Sequence, residues 1–196
     1  MFDDLLPGIR VGVDMDGVLA DFNTGWMTRY NRDFGTELDA SMVQQWDGLY
    51  RLTHFESMAE FWSWAQGDGV STFRHAPPLP GAIEGIQRIG QRHRVAIDSS
   101  KFEWAIPDSL AWLADHDVPA REVHFLWDKS LAECDVYLDD APHQLRELRE
   151  KVPDATICRM VHPWNDPVAG VVDVHDWAEF EGVVDEVAAA RVGERS

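Results

Sequence analysis

Two aspartates stand where the first apolar run of the chain ends. Val11 and Val13 read as a short buried strand, Asp14 and Asp16 follow it, and Gly17 lets the chain turn into a helical pattern that begins with Asp21 and Phe22. Residues two apart on a strand point to the same side, so the two carboxylates approach one another and a cation between them relieves their repulsion. A carboxylate in that position can attack phosphorus and form an aspartyl-phosphate, provided a divalent cation screens two anions from each other. A second acid beside it can protonate the leaving oxygen and later activate water. Asp14 suits the nucleophile and Asp16 the acid/base. Two solvated loop acids, or an Asp capping the next helix, would look the same locally. The chemical reading therefore requires a lysine and further acids at later strand ends.

The rest of the chain supplies them. RVAIDSS (94–100) reads as a second strand ending in Ser99 and Ser100, whose hydroxyls and amides can hold phosphate oxygens, although a plain serine-rich turn reads the same way. EVHFLW (122–127) is a third strand, followed by Asp128 and Lys129. Lys129 is either an exposed loop cation or a phosphate clamp that also neutralises the acids, and its place after a strand favours the clamp. DVYLDD (135–140) is a fourth strand running into Asp139 and Asp140. An acid pair there can give hard oxygen ligands to Mg²⁺, or one of the two can serve only the turn into a helix at 142–151. ATICRMV (155–161) is a fifth strand, HPWN (162–165) a loop, GVVDV (170–174) a short strand and 177–191 a closing amphipathic helix.

Between the first and second strands lies more chain than one crossover needs. Phe22, Trp26, Met27 and Tyr30 form one helical stripe; Met42, Val43, Trp46, Leu49 and Tyr50 a second; Phe55, Met58, Ala59, Trp62 and Ala65 a third. Residues 22–75 are thus expected to form a small helical lobe inserted into a core made of 1–21 and 76–196. Most of its aromatics, Trp46 and Trp62 included, are expected to hold that lobe together. Phe61 and Trp64 lie off the stripe of their helix and are the candidates to face a cleft and stack on a flat ligand. Pro77, Pro78, Pro80 and Gly81 make a stiff return to the core.

Composition narrows the partners. The chain has 196 residues and 45% hydrophobic residues, enough for one domain, or one core with a small inserted lobe, that buries a sizeable interior. A net charge of −18, from 35 acids against 17 Lys plus Arg, offers no basic stripe for a nucleic-acid polymer or an anionic membrane. A small anionic substrate remains compatible, because it responds to the local field of its pocket. Lysines are scarce: Lys101, Lys129 and Lys151. Cys134 and Cys158 lack zinc spacing, and no P-loop, dinucleotide fingerprint or nucleophile elbow is present. The absence of a signal-like start or a membrane-length apolar run makes cytoplasmic location the expectation.

DMDGV after strand one, serines after strand two, lysine after strand three and an acid pair after strand four together resemble the haloacid dehalogenase superfamily. Within it, DMDGVLADF, the helical insert, PPLPGA, WDKS and YLDDAP are similar to the 5′(3′)-deoxyribonucleotidases. The resemblance covers most of residues 9–165. It implies a Rossmann-like three-layer core with a parallel sheet and a helical cap after the first strand. It implies Mg²⁺ held by the Asp14 carboxylate, the Asp16 carbonyl and an acid of the Asp139–Asp140 pair. It also implies phosphate held by Ser99 and Lys129 with amides near Met15 and Ser100, and cap aromatics under the base. Two departures stand out. The family's strand-two ending of threonine, small residue and proline is Ser99-Ser100-Lys101 here, and a lysine common in the next helix falls at Ser109, with Lys101 the candidate to replace it. The expected activity is Mg²⁺-dependent hydrolysis of a deoxyribonucleoside monophosphate by a monomer or homodimer. The alternatives are a sugar phosphate or other small phosphometabolite as substrate, or a phosphate-binding module without turnover.

Overall fold

The computed structural model describes residues 8–194. Each apolar run expected to be a strand is one: β1 Arg10–Val13, β2 Arg94–Ser99, β3 Glu122–Phe125, β4 Val136–Asp139, β5 Thr156–Met160 and β6 Val172–Val174. They form one parallel sheet in the order β3-β2-β1-β4-β5-β6 among the described residues. Parallel strands need crossovers, which α3 (Ala82–Arg92), α4 (Ile106–Asp115) and α5 (Pro142–Lys151) provide, and α6 (Trp177–Glu194) closes the chain. The apolar positions of one sheet face, among them Val11, Val13, Ile97 and Leu138, pack on α3, α4 and α6. The opposite face buries Ala96, Tyr137 and Ile157 against Leu145 and Leu148 of α5. Both faces are covered, which is why the central strands read as near-continuous apolar runs.

The strand order reverses between β1 and its two neighbours: the chain moves from β1 out to β2 and β3, then returns to place β4 on the other side of β1. Ligands of open α/β sheets bind beyond the strand ends at such a switch point. Asp14 follows the last residue of β1, and Asp139 ends β4, at that point.

The insertion after β1 contains α1 (Phe22–Phe34) and α2 (Met58–Gln66). Asp21 caps α1, its carboxylate accepting from the Thr24 amide at 3.0 Å, and Ser57 caps α2. The second helical stripe is a correction. Residues 40–52 form two 3₁₀ turns, Ala40–Met42 and Leu49–Leu52, and no α-helix. Gly48 sits at φ 81° between them, a conformation that cannot continue a right-handed helix.

Candidate active site

Lys129 is aimed by its own turn. Asp128 caps the 3₁₀ turn Lys129–Ala132, accepting from the Ser130 amide at 3.2 Å and hydroxyl at 2.6 Å. The lysine side chain is thereby turned inward and is 3% exposed. Its Nζ donates to Asp139 Oδ2 and lies 3.2 Å from Asp14 Oδ1. Burial alone would lower the lysine's pKa, but Asp139 and Asp14 outweigh it and raise it. The loop cation of the sequence is therefore a buried counter-charge.

Asp14, Asp139 and Asp140 are all buried, and one oxygen from each lies within 4.8 Å of the others. Burial pushes Asp139 up to about 6 despite Lys129. Burial, then Asp139 and Asp14, raise Asp140 well above the ordinary carboxylate range. Both oxygens of Asp139 are engaged, Oδ1 by the Ala141 amide at 2.8 Å and Oδ2 by Lys129. Asp140 Oδ1 has no hydrogen-bond partner, and Asp14 Oδ1 has only its ion pair with Lys129. Buried carboxylate oxygens with so few partners, grouped in one cluster, are what a hard divalent cation satisfies, so these residues fit Mg²⁺.

Gly17 permits this approach of two loops. Its φ is +73°, and a Cβ there would lie 2.2 Å from Asp140 Oδ2. Asp16 is half-buried, and Lys101 donates to its Oδ2. Burial, reinforced by Asp14, raises the Asp16 pKa against the pull of Lys101. A raised pKa brings Asp16 nearer to the range where a carboxyl can act as acid and base. Lys101 also lies 4.0 Å over the Phe73 ring. It thus reaches the site through Asp16, and Ser109, where a lysine was missed, is a buried hydroxyl with no hydrogen-bond partner.

Ser99 is buried at the end of β2. The Ser100 hydroxyl donates to the Leu126 carbonyl at 2.7 Å, tying the β2 and β3 loops together. Its side chain is thus spent on structure. The Met15 carbonyl closes the turn after β1, accepting from the Leu19 and Ala20 amides at 2.8 Å each.

A cavity of about 290 Å³ opens over Asp16, Gly17 and Asp140. Phe22, Trp46, Met58, Trp62 and Trp164 line it. The expectation for Phe61 and Trp64 is overturned: neither lines the cavity. Phe61 is wholly buried, edge-on to Trp26 at 5.2 Å, and Trp64 donates its indole N–H to Asp33 at 3.1 Å. Trp62 packs in the lobe as expected, against Phe22, Phe61 and Phe73, and also lines the cavity, as does Trp46. The reason is phase: α2 is apolar on two faces, and Phe61 and Ala65 turn to the lobe's interior while Met58 and Trp62 turn to the cavity.

Sequence reasoning also missed Asp98, a buried acid in β2 whose two oxygens lack hydrogen-bond partners. Burial raises it to about 7. Its signal was a charged residue inside the apolar run RVAIDSS. Among the described residues, no helix is long and apolar enough to cross a membrane.

The fold and this arrangement of strand ends define the class. A haloacid dehalogenase-like hydrolase from Streptococcus pneumoniae superposes with TM-score 0.64 at 10% identity, covering 90% of this chain and 98% of that one. A β-phosphoglucomutase described as putative, from Thermotoga maritima, gives 0.60 at 18% identity, covering 91% and 99%. These likenesses establish a haloacid dehalogenase-like fold. The narrower relationship comes from sequence: the chain belongs to the family described as 5′ nucleotidase, deoxy (Pyrimidine), cytosolic type C protein, whose model matches residues 8–192. It is 29% identical over 147 residues to the mitochondrial 5′(3′)-deoxyribonucleotidase of Mus musculus, covering 68% of this chain and 65% of that protein. It is 27% identical over 146 residues to the cytosolic type from Homo sapiens, covering 67% and 70%. The match to the mouse protein thus spans about two thirds of that relative's length.

Proposed function

We propose that this chain hydrolyses a phosphomonoester through an aspartyl-phosphate at Asp14, and that its substrate is a deoxyribonucleoside monophosphate. The observation that carries the reading is the juxtaposition of a buried carboxylate–lysine cluster with an aromatic-walled cavity. Residues 22–75 act as the cap that supplies much of that wall. The named activity of the relatives supports the nucleotide half of the reading.

The Asp14 carboxylate attacks phosphorus while the Asp16 carboxylic acid gives its proton to the leaving oxygen. The nucleoside departs, and phosphate is left on Asp14. Asp16, now a carboxylate, takes a proton from water as that water attacks phosphorus, which frees inorganic phosphate and restores Asp14. Lys129 holds the charge of Asp14 and the phosphate group, Ser99 and the amides near Met15 and Ser100 surround its oxygens, and Lys101 keeps Asp16 in place. Mg²⁺ would be held by Asp14, the Asp16 carbonyl and the Asp139–Asp140 pair, and when bound it screens the two anions from each other.

The test is phosphate release with Mg²⁺ from 5′- and 3′-deoxynucleotides, ribonucleotides and sugar phosphates. Deoxynucleoside monophosphates are expected to turn over selectively, and Asp14→Asn is expected to lose at least about a thousandfold in kcat with the fold intact. Turnover of sugar phosphates alone would discard the substrate and keep the chemistry. Near-normal kcat in Asp14→Asn would remove the nucleophile.

A further inference from the structure

The loop after β5 grips both acid-bearing loops of the site. The His162 ring donates from Nε2 to the Gly17 carbonyl at 2.6 Å, which sets its tautomer, since a carbonyl only accepts. Burial lowers the pKa of this ring, so it is neutral near pH 7. The His162 ring stacks on Trp164, centroids 4.1 Å apart and planes within 10°. Trp164 Nε1 donates to Asp140 Oδ2 at 3.0 Å. Asn165 Nδ2 donates to the Asp140 carbonyl at 2.8 Å and to the Met160 carbonyl at 2.9 Å. Arg159, buried, donates from Nη1 to the Asn165 carbonyl at 2.7 Å, and its Nε and Nη2 form a fork onto Asp173 of β6. The indole is therefore held by the stacked imidazole, and the backbone next to it by the anchored Asn165.

That rigidity has a consequence for Asp140. With Oδ2 on the indole N–H, the partnerless Oδ1 is the oxygen left for the cluster it forms with Asp14 and Asp139. Asp139 has both oxygens engaged already. One hydrogen bond thus decides which way the less encumbered acid of the pair points. The same Trp164 ring is a wall of the cavity, next to Gly17 and Asp140. A group that fills the cavity presses on the ring that sets the carboxylate.

We propose that Trp164 is a positioning residue that links the two halves of the site: its N–H orients Asp140 for the divalent cation, and its ring carries the leaving nucleoside. The nucleoside half rests on the substrate reading above; the cation half does not. Linkage is reciprocal, so a nucleoside in the cavity tightens Mg²⁺ and Mg²⁺ tightens the nucleoside.

The experiment is calorimetric titration of Mg²⁺ into the full chain, with and without saturating unphosphorylated deoxynucleoside, for wild type and Trp164→Phe. Phenylalanine keeps a ring and deletes the N–H. Trp164→Phe is expected to raise the Mg²⁺ Kd about tenfold, the effect of losing a group that orients a metal ligand, while the nucleoside Kd stays within about twofold. In wild type the nucleoside is expected to lower the Mg²⁺ Kd several-fold, and in the variant that shift is expected to vanish. Unchanged Mg²⁺ affinity in Trp164→Phe would overturn the proposal. Should the variant not fold, wild-type Mg²⁺ affinity that ignores bound nucleoside would overturn it. Weaker Mg²⁺ binding in the variant, with no nucleoside binding by wild type, would sustain the orienting role and defeat the substrate reading instead.

Discussion

The floor of the site and the wall above it are built on opposite principles. The floor is charged and sealed: Asp14, Lys129, Asp139 and Asp140 are each under 8% exposed, and all stand at or just beyond strand ends and the short turn between β3 and β4. The wall is apolar and open. Trp46 is 40% exposed and lies between two 3₁₀ turns, while Phe22 and Trp62 ride on short helices of the insertion. Rigid strands hold reacting atoms to within a fraction of an ångström, whereas the side chains that the insertion gives the wall can change without disturbing the chemistry; Trp164, bonded to Asp140, goes with the floor. The molecule thus separates what must be held from what can vary.

The largest effect that would break this contrast lies in the floor. Lys129→Met removes the ammonium among Asp14, Asp139 and Asp98 and leaves their charges uncompensated. It is expected to cost about 3–5 kcal/mol in urea unfolding without metal, with part of the loss restored by Mg²⁺. A cost under about 1 kcal/mol would show that the floor is more hydrated than its burial indicates.

Inside the insertion, two aromatics sharpen the comparison. Phe61→Ala empties a wholly buried site and is expected to cost about 3–4 kcal/mol of stability. Trp46→Ala is expected to change stability by less than about 0.5 kcal/mol while raising the nucleotide KM roughly tenfold through lost stacking. Matched stability losses in the two variants would mean that wall and interior are one packing unit.

The floor alone is expected to give the metal-free protein a pH dependence. Asp98 has a folded pKa of about 7 against an ordinary 3.8, so between those values the native state keeps a proton that the unfolded chain has released. Stability therefore falls as pH rises through that window. The full shift sets an upper bound of roughly 4 kcal/mol. Asp98→Asn should flatten the profile and stabilise the protein above neutrality, read by urea melts from pH 5 to 8. An unchanged slope would assign the dependence to Asp139 and Asp140.

The strands were legible because both sheet faces are covered, which makes β1, β2, β4 and β5 apolar enough to see without periodicity. Asp14, Lys129, Asp139 and Asp140 followed, since charges abutting such runs have little alternative to pairing. Residues 40–52 were not legible: their apolar spacing mimics a helix, and the positive φ at Gly48 overrides it. The cavity-facing role expected of Phe61 falls to Trp62, which packs in the lobe as well, because MAEFWSWAQ is apolar on both sides. Periodicity finds an apolar face, but it does not say whether that face meets protein or a cavity.

The division between sequence and structure follows from range. Local order along the chain determined the strands and helices of the core, the acids and lysine at the strand ends, and the presence of an aromatic insertion, while the parallel sheet was implied by the family resemblance. Only the tertiary structure decided that Lys129 is buried between Asp14 and Asp139, that Lys101 holds Asp16, that Trp46 and Trp62 wall the cavity, and that Trp164 turns Asp140. Each of those contacts except Lys129–Asp139 joins residues more than 20 positions apart or a side chain to empty space. No pattern of neighbours encodes such a contact until the sheet order β2-β1-β4-β5 brings the strand ends together.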